Sequence, residues 1–286
     1  MSRRAFFCTI GGAVASLTGA GAYATQVEPF WLDVHDNDVP LPSWPAALDG
    51  LRIAHVTDVH FDRKLPRSYT DEVARRIREE VKPDLVAFSG DLTTHAPAHL
   101  EDGAKWLASF GLPTFACLGN HDYDPTGSAR AGCRMDMADR LDRLLEGSGV
   151  VLLRNQNYKL SLSGGRELYI VGVEDFYTGA LAVEKAVEGI PEGAARLMLC
   201  HNPDASRLVD AATAGGLILS GHTHGGQIRI PGYGHLVTNI MDETKIMGQF
   251  SLGRSTLYVS RGIGYLLQAR LFCRPELPVH KVHVKK

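Results

Sequence analysis

The chain contains no CxxC pair. Its five cysteines, Cys8, Cys117, Cys133, Cys200 and Cys273, stand far apart. Structural zinc on thiolates, which wants cysteines paired at short spacing, is excluded. Nor is there an excess of charge of either sign, with 30 basic and 32 acidic residues among 286. That balance argues against nucleic acid as a partner and against an acidic solvating tail. Low-complexity tracts, internal repeats and linker-like stretches are also missing. Residues 26–286 therefore read as one unit with enough chain for a substantial core. Cys117 and Cys200 lie in apolar runs, where a cysteine acts as a small buried hydrophobe. The 12 histidines are numerous for this length and invite a search for clusters.

The N-terminus reads as an export segment. Arg3 and Arg4 are followed by "AFF", and residues 5–24 are apolar or small and uncharged. Ala22-Tyr23-Ala24 supplies an A-x-A cleavage pattern. The adjacent arginines resemble a twin-arginine signal, so the twin-arginine machinery is an expected partner. Export would place the protein in the periplasm or on the outer face of the cytoplasmic membrane. About 20 uncharged residues also suffice to anchor the chain if left uncut, and a cytoplasm-facing anchored form is the alternative. Residues 1–24 are thus expected to be a signal or anchor, 25–50 a proline-rich extended lead-in with one strand near Phe30–His35, and 51–286 the main folded domain.

Within that domain short apolar runs alternate with helical stretches, which predicts an α/β architecture. "LRIAHV", "DLVAF", "TFACL", "RLMLC" and "LILS" read as buried strands. "SYTDEVARRIREEV", "HLEDGAKWLASF", "MDMADRLDRLLE" and "ASRLVDAAT" read as helices, the first with Thr70 as its N-cap. Strands after residue 150, one pair turning at Gly164-Gly165, suggest added antiparallel pairing. Two sheets packed face to face and flanked by helices accommodate both patterns.

Polar clusters follow the strands, as expected for a site built at strand ends. "TDVH" offers Asp58 and His60, "SGDLT" Asp91, and "LGNHD" Asn120, His121 and Asp122. "CHNPD" offers His201, and "GHTHGG" His222 and His224. Singly each is an ordinary loop. Together they supply oxygen and nitrogen donors and no soft thiolate, a set suited to hard or borderline divalent cations such as Mn, Zn or Fe. Seven donors exceed one tetrahedral ion and suit two ions sharing a carboxylate, an arrangement able to clamp a phosphoryl group.

This order of motifs, D-x-H, G-D, G-N-H-D, a lone His and G-H-x-H over residues 53–225, resembles the calcineurin-like metallophosphoesterase family. The resemblance implies a four-layer α/β/β/α sandwich holding two divalent metal ions. One ion would take Asp58, His60, Asp91 and His224. The other would take Asp91, Asn120, His201 and His222. It also implies His121 over the leaving-group oxygen, oriented by Asp122, and attack on phosphorus by a hydroxide bridging the ions. The second motif continues "GDLTTH" where many members have GDxxD. The N-terminal segment, "HNPD" and "SRGIG…R…RPE" resemble a bacterial branch that includes UDP-2,3-diacylglucosamine pyrophosphatase-like enzymes. A phosphodiester or pyrophosphate substrate, envelope- or lipid-related and met near a membrane, is the expectation. A phosphomonoesterase on the same site and a non-catalytic metal-binding interaction module are the alternatives. Arg261, Arg270 and a rim carboxylate, Asp175, are candidate substrate contacts, and "YLLQARLF" a candidate greasy rim.

Overall fold

A computed structural model of the chain describes residues 18–62, 64–94, 97–123, 135–236 and 240–284. The arginine pair at positions 3 and 4, Cys8 and Cys133 lie outside them. Among the described residues, no helix is long and apolar enough to cross a membrane.

The first six strands are β1 (Asp33–Pro40), β2 (Arg52–Val56), β3 (Leu85–Phe88), β4 (Thr114–Ala116), β5 (Val150–Leu152) and β6 (Gln156–Leu162). Next come β7 (Arg166–Gly172), β8 (Arg196–Leu199), β9 (Leu217–Ser220) and the small hairpin β10 (Arg229–Ile230) and β11 (Gly234–His235). The last are β12 (Gly248–Leu252), β13 (Ser255–Val259) and β14 (Glu276–His283). One six-stranded sheet has the order β1-β14-β2-β3-β4-β5, the other β12-β13-β9-β8-β7-β6. Strands β2 to β5 run parallel, as do β7, β8, β9 and β13. Antiparallel partners close the edge of the second sheet.

Period-two alternation sorts the side chains into layers. Ile53, Leu85, Ala87 and Phe115 face Leu197, Leu199, Leu217 and Leu219 between the sheets. Ala54, Val56, Val86 and Phe88 point outward instead, against helices α1 (Arg67–Arg76), α2 (Leu100–Ala108) and α3 (Asp136–Leu145). On the opposite outer face, Met198 and Ile218 pack with α4 (Val183–Ala186) and α5 (Ser206–Thr213). The result is the expected α/β/β/α sandwich. Each fully buried Leu or Ile contributes about 1.5–3 kcal/mol, so both the inter-sheet seam and the sheet–helix layer carry the stability. Cys117 and Cys200 are buried free thiols within these layers.

Two local expectations change. The first helix starts at Arg67 after Pro66, and Thr70 lies inside it with its hydroxyl donating to the Arg67 carbonyl, 3.0 Å. The Pro66 ring sets the extended entry, so the cap is not a hydroxyl. The lead-in is also part of the sheet. β1 pairs in parallel with β14 over Asp33–Pro40, which covers an edge that β14 would otherwise expose.

Candidate metal centre

The parallel strands of both sheets end at one rim, and the sequence clusters follow those ends. Asp58 and His60 leave β2, Asp91 leaves β3, and Asn120 to Asp122 leave β4. From the facing sheet come His201 after β8 and His222 with His224 after β9. All of these except His121 are buried.

The backbone there adopts a costly form. Asp58, His60, Asp91, His222 and His224 all have positive φ, between 51° and 71°. Non-glycine residues pay on the order of 1 kcal/mol each for that conformation, and it persists only where the surroundings over-determine it. The over-determination is visible. Asp58 and Val59 amides donate to the Gly90 and Asp91 carbonyls, both at 2.9 Å. The His222 amide donates to both Asp58 carboxylate oxygens at 3.0 Å. The His121 amide donates to Asp91 Oδ1 at 2.9 Å. A Cβ on Gly221 would lie 2.1 Å from Asp58 Oδ2, so only glycine lets these loops close on one another.

Side chains converge in two groups, Asp58 with His60 and His224, and Asp91 with His201 and His222, each with ligand atoms within 4.8 Å of one another. Asp91 Oδ2 lies 3.6 Å from His60 Nε2 and 3.2 Å from His201 Nε2, so it stands between the groups. His201 Nδ1 is 2.7 Å from the Ser89 carbonyl, which only accepts. Nδ1 therefore carries hydrogen, and Nε2 is aimed into the site.

Three features fit a pair of divalent cations. His60 Nε2 and His224 Nε2 face each other at 3.0 Å. Burial pushes His60 down to about 3 and His224 well below its usual value, so neither ring readily supplies a proton between them. The Asn120 Oδ1 acceptor is buried without a hydrogen-bond partner, an orphan that a cation would satisfy. Finally, the charges are unsettled. Burial pushes Asp58 up to about 7. Burial would lower His201, yet Asp91 outweighs it and draws that imidazole up to about 10. Asp91, which burial would raise, is held well below its usual value by His201 and His121. The Asp91 carboxylate thus favours positive charge at this point of the site.

The other sequence candidates fall differently. His121 is half-buried, its ring edge-on to His60 at 5.0 Å between centroids. Asp122 accepts from three backbone amides. Its Oδ1 accepts from the Leu92 and Thr93 amides and its Oδ2 from the Gly119 amide, so the carboxylate ties two loops together. Arg270 is not a substrate contact. It is fully buried, and its guanidinium donates to the carbonyls of Arg261, Gly262, Gly264 and Cys273. Arg261 is bound to Glu276 and Asp33. Asp175 is buried rather than on the rim, and burial pushes it up to about 6.

Sequence reading missed the supports. Thr57 Oγ1 donates to Asp58 Oδ2 at 2.9 Å, and Tyr123 Oη to Glu174 Oε2 at 2.5 Å. Glu174 is also gripped by Arg154 at 2.8 Å. Thr57 and Tyr123 adjoin the first and third motifs and Glu174 adjoins Asp175, but adjacency does not say which partner each side chain holds.

The comparisons agree with this geometry. The family model described as calcineurin-like phosphoesterase matches residues 51–226. Phosphodiesterase YaeI of Escherichia coli is 32% identical, over 97% of this chain and 97% of its own. The uncharacterised metallophosphoesterase YkuE of Bacillus subtilis is 30% identical, over 98% and 96%. UDP-2,3-diacylglucosamine pyrophosphatase LpxG of Chlamydia trachomatis is 30% identical, over 88% and 89%.

Proposed function

The chain belongs to the calcineurin-like phosphoesterase family, and from that premise we propose that it hydrolyses a phosphodiester or pyrophosphate bond at this rim. The observation that carries the reading is the convergence of two buried donor groups with Asp91 between them. Asp58, His60, Asp91 and His224 would hold one divalent cation, and Asp91, Asn120, His201 and His222 the other. When bound, the pair supplies Lewis-acid neutralisation of the phosphoryl oxygens and acidifies water for attack.

The chain's own residues do the rest. The Ser89 carbonyl fixes the His201 tautomer, and the His222 amide fixes the Asp58 carboxylate. His121, with its partial exposure beside His60, is placed to give a proton to the leaving oxygen.

Two relatives are named for a phosphodiesterase and a lipid-linked pyrophosphatase activity. That supports a diester or pyrophosphate, lipid-linked substrate here. The arginine pair and the uncharged stretch after it support twin-arginine export, with the segment either cleaved or retained as an anchor. Replacing Arg3 and Arg4 by Lys is expected to stop export, and undiminished export would refute that route.

The activity is tested with bis-p-nitrophenyl phosphate and p-nitrophenyl phosphate under manganese, zinc or iron, with and without chelator. The diester should turn over faster, chelation should stop it, and metal should restore it. Preference for the monoester would favour a phosphomonoesterase, and no turnover under any metal would favour a binding module. His121→Ala should lower kcat by about 10²–10⁴-fold while bound metal, measured by elemental analysis, stays unchanged. Metal loss in that variant would refute the proton-donor role.

A further inference from the structure

Beside His224 the surface is apolar in an unusual way. Ile230, Tyr233, Leu236, Leu267 and Phe272 are all exposed, Tyr233 at 76% and both Leu267 and Phe272 at 62%. They come from two segments stitched by backbone. The Arg229 amide donates to the Leu271 carbonyl at 2.9 Å, and the Leu271 amide to the Gln227 carbonyl at 3.1 Å. The Gln227 amide in turn donates to the His224 carbonyl at 3.0 Å, so this apolar rim is continuous with the metal centre.

The N-terminal stretch meets the same rim. The Arg270 amide donates to the Ala24 carbonyl at 2.8 Å, and Gln268 Nε2 to the Thr25 carbonyl at 3.1 Å. Ahead of that contact, residues 18–22 are exposed and carry no charge. Trp31 is 51% exposed, and the Arg274 guanidinium lies 4.3 Å over its ring. Charge is sorted as well. Although the chain holds 32 acidic residues, stretches 1–27, 226–236 and 262–275 contain none. Arg229 and Arg274 are the partly exposed basic residues of the last two stretches.

Exposed leucine and phenylalanine, the aromatic rings of Tyr233 and Trp31 and flanking arginines, with Glu243 near His235 and Asp33 near Arg274 as the carboxylates at the margin, form the composition of a surface that lies on anionic lipid. We infer that this rim is a bilayer-docking face, seated at the boundary of acyl chains and headgroups with Arg229 and Arg274 toward lipid phosphates. The docking stands on this geometry alone. Its consequence, that the metal centre opens onto phosphoesters held in the bilayer, rests on the function proposed above.

Trp31 makes the test direct, because the other two tryptophans, Trp44 and Trp106, are 4% and 5% exposed. The full chain is mixed with phosphatidylglycerol–phosphatidylcholine vesicles, with or without bromine on the acyl chains. Bromine should quench the tryptophan emission. In the double variant Leu267→Glu, Phe272→Glu the quenching should be lost, even where the N-terminal stretch keeps the protein on vesicles. The denaturation midpoint of that variant should be unchanged, which shows that the fold is kept. Unquenched wild-type emission, or equal quenching in the variant, overturns the proposal. So does a wild-type dimer that the variant converts to monomer without any quenching, which would assign the face to a second copy. Failure of phosphoester hydrolysis alone would strike the function and leave the quenching result standing.

Discussion

Asp91→Asn is expected to lower kcat/KM for a phosphodiester by about a thousandfold or more, and to reduce bound metal from two ions per chain to one or fewer. Asp91 is the carboxylate facing both His60 and His201. Asparagine keeps its shape and can still accept the His121 amide at Oδ1. It removes the negative charge and can turn an NH2 group toward one of the two histidines. The shape is preserved, so the unfolding temperature should move little while occupancy and rate fall together. Elemental analysis and initial rates on the same preparation check this. Two-ion occupancy with full turnover would refute the shared-carboxylate role.

Arg270→Met should destabilise the fold by about 3–5 kcal/mol, read as a drop in denaturation midpoint. The guanidinium is fully buried and satisfies four carbonyls of the 261–273 loop, so methionine leaves several buried acceptors unpaired. That loop backs the metal centre. Its Gly264 amide donates to the Asp58 carbonyl at 2.7 Å, and a Cβ at Gly264 would meet the Val59 carbonyl at 1.9 Å. Metal affinity should therefore fall with stability. Arg261→Met should cost less, since Arg261 is partly exposed. The alternative, Arg270 as a phosphate contact, predicts the reverse pattern: a raised KM with an unchanged midpoint.

The motifs were legible because their chemistry is local. A strand that must be buried on both faces writes a continuous apolar run, and the polar cluster after it marks where the strand meets the rim. Asp58, His60, Asp91, Asn120, His201, His222 and His224 could all be named that way. The 12 histidines could not be sorted by type alone. His55 lies in the same apolar strand as the first motif, yet it is a core residue, pushed down to about 3 by burial and paired with Ser89 Oγ at 2.8 Å. Its inward direction is set by strand register, which becomes definite only when the second sheet covers that face.

The sequence by itself determined the α/β class, the donor set and its order, because residue type and strand periodicity are properties of contiguous chain. Tertiary structure alone decided which donors share a group and that Asp122 ties loops. It also decided that Arg270 is spent on carbonyls and that Ala24 and Thr25 meet the segment around Arg270, which is joined to that around Gln227. Those outcomes depend on hydrogen bonds and burial between segments far apart in the chain, such as Ala24 with Arg270. No local pattern encodes such a pairing. It follows from where the two sheets force the loops to meet.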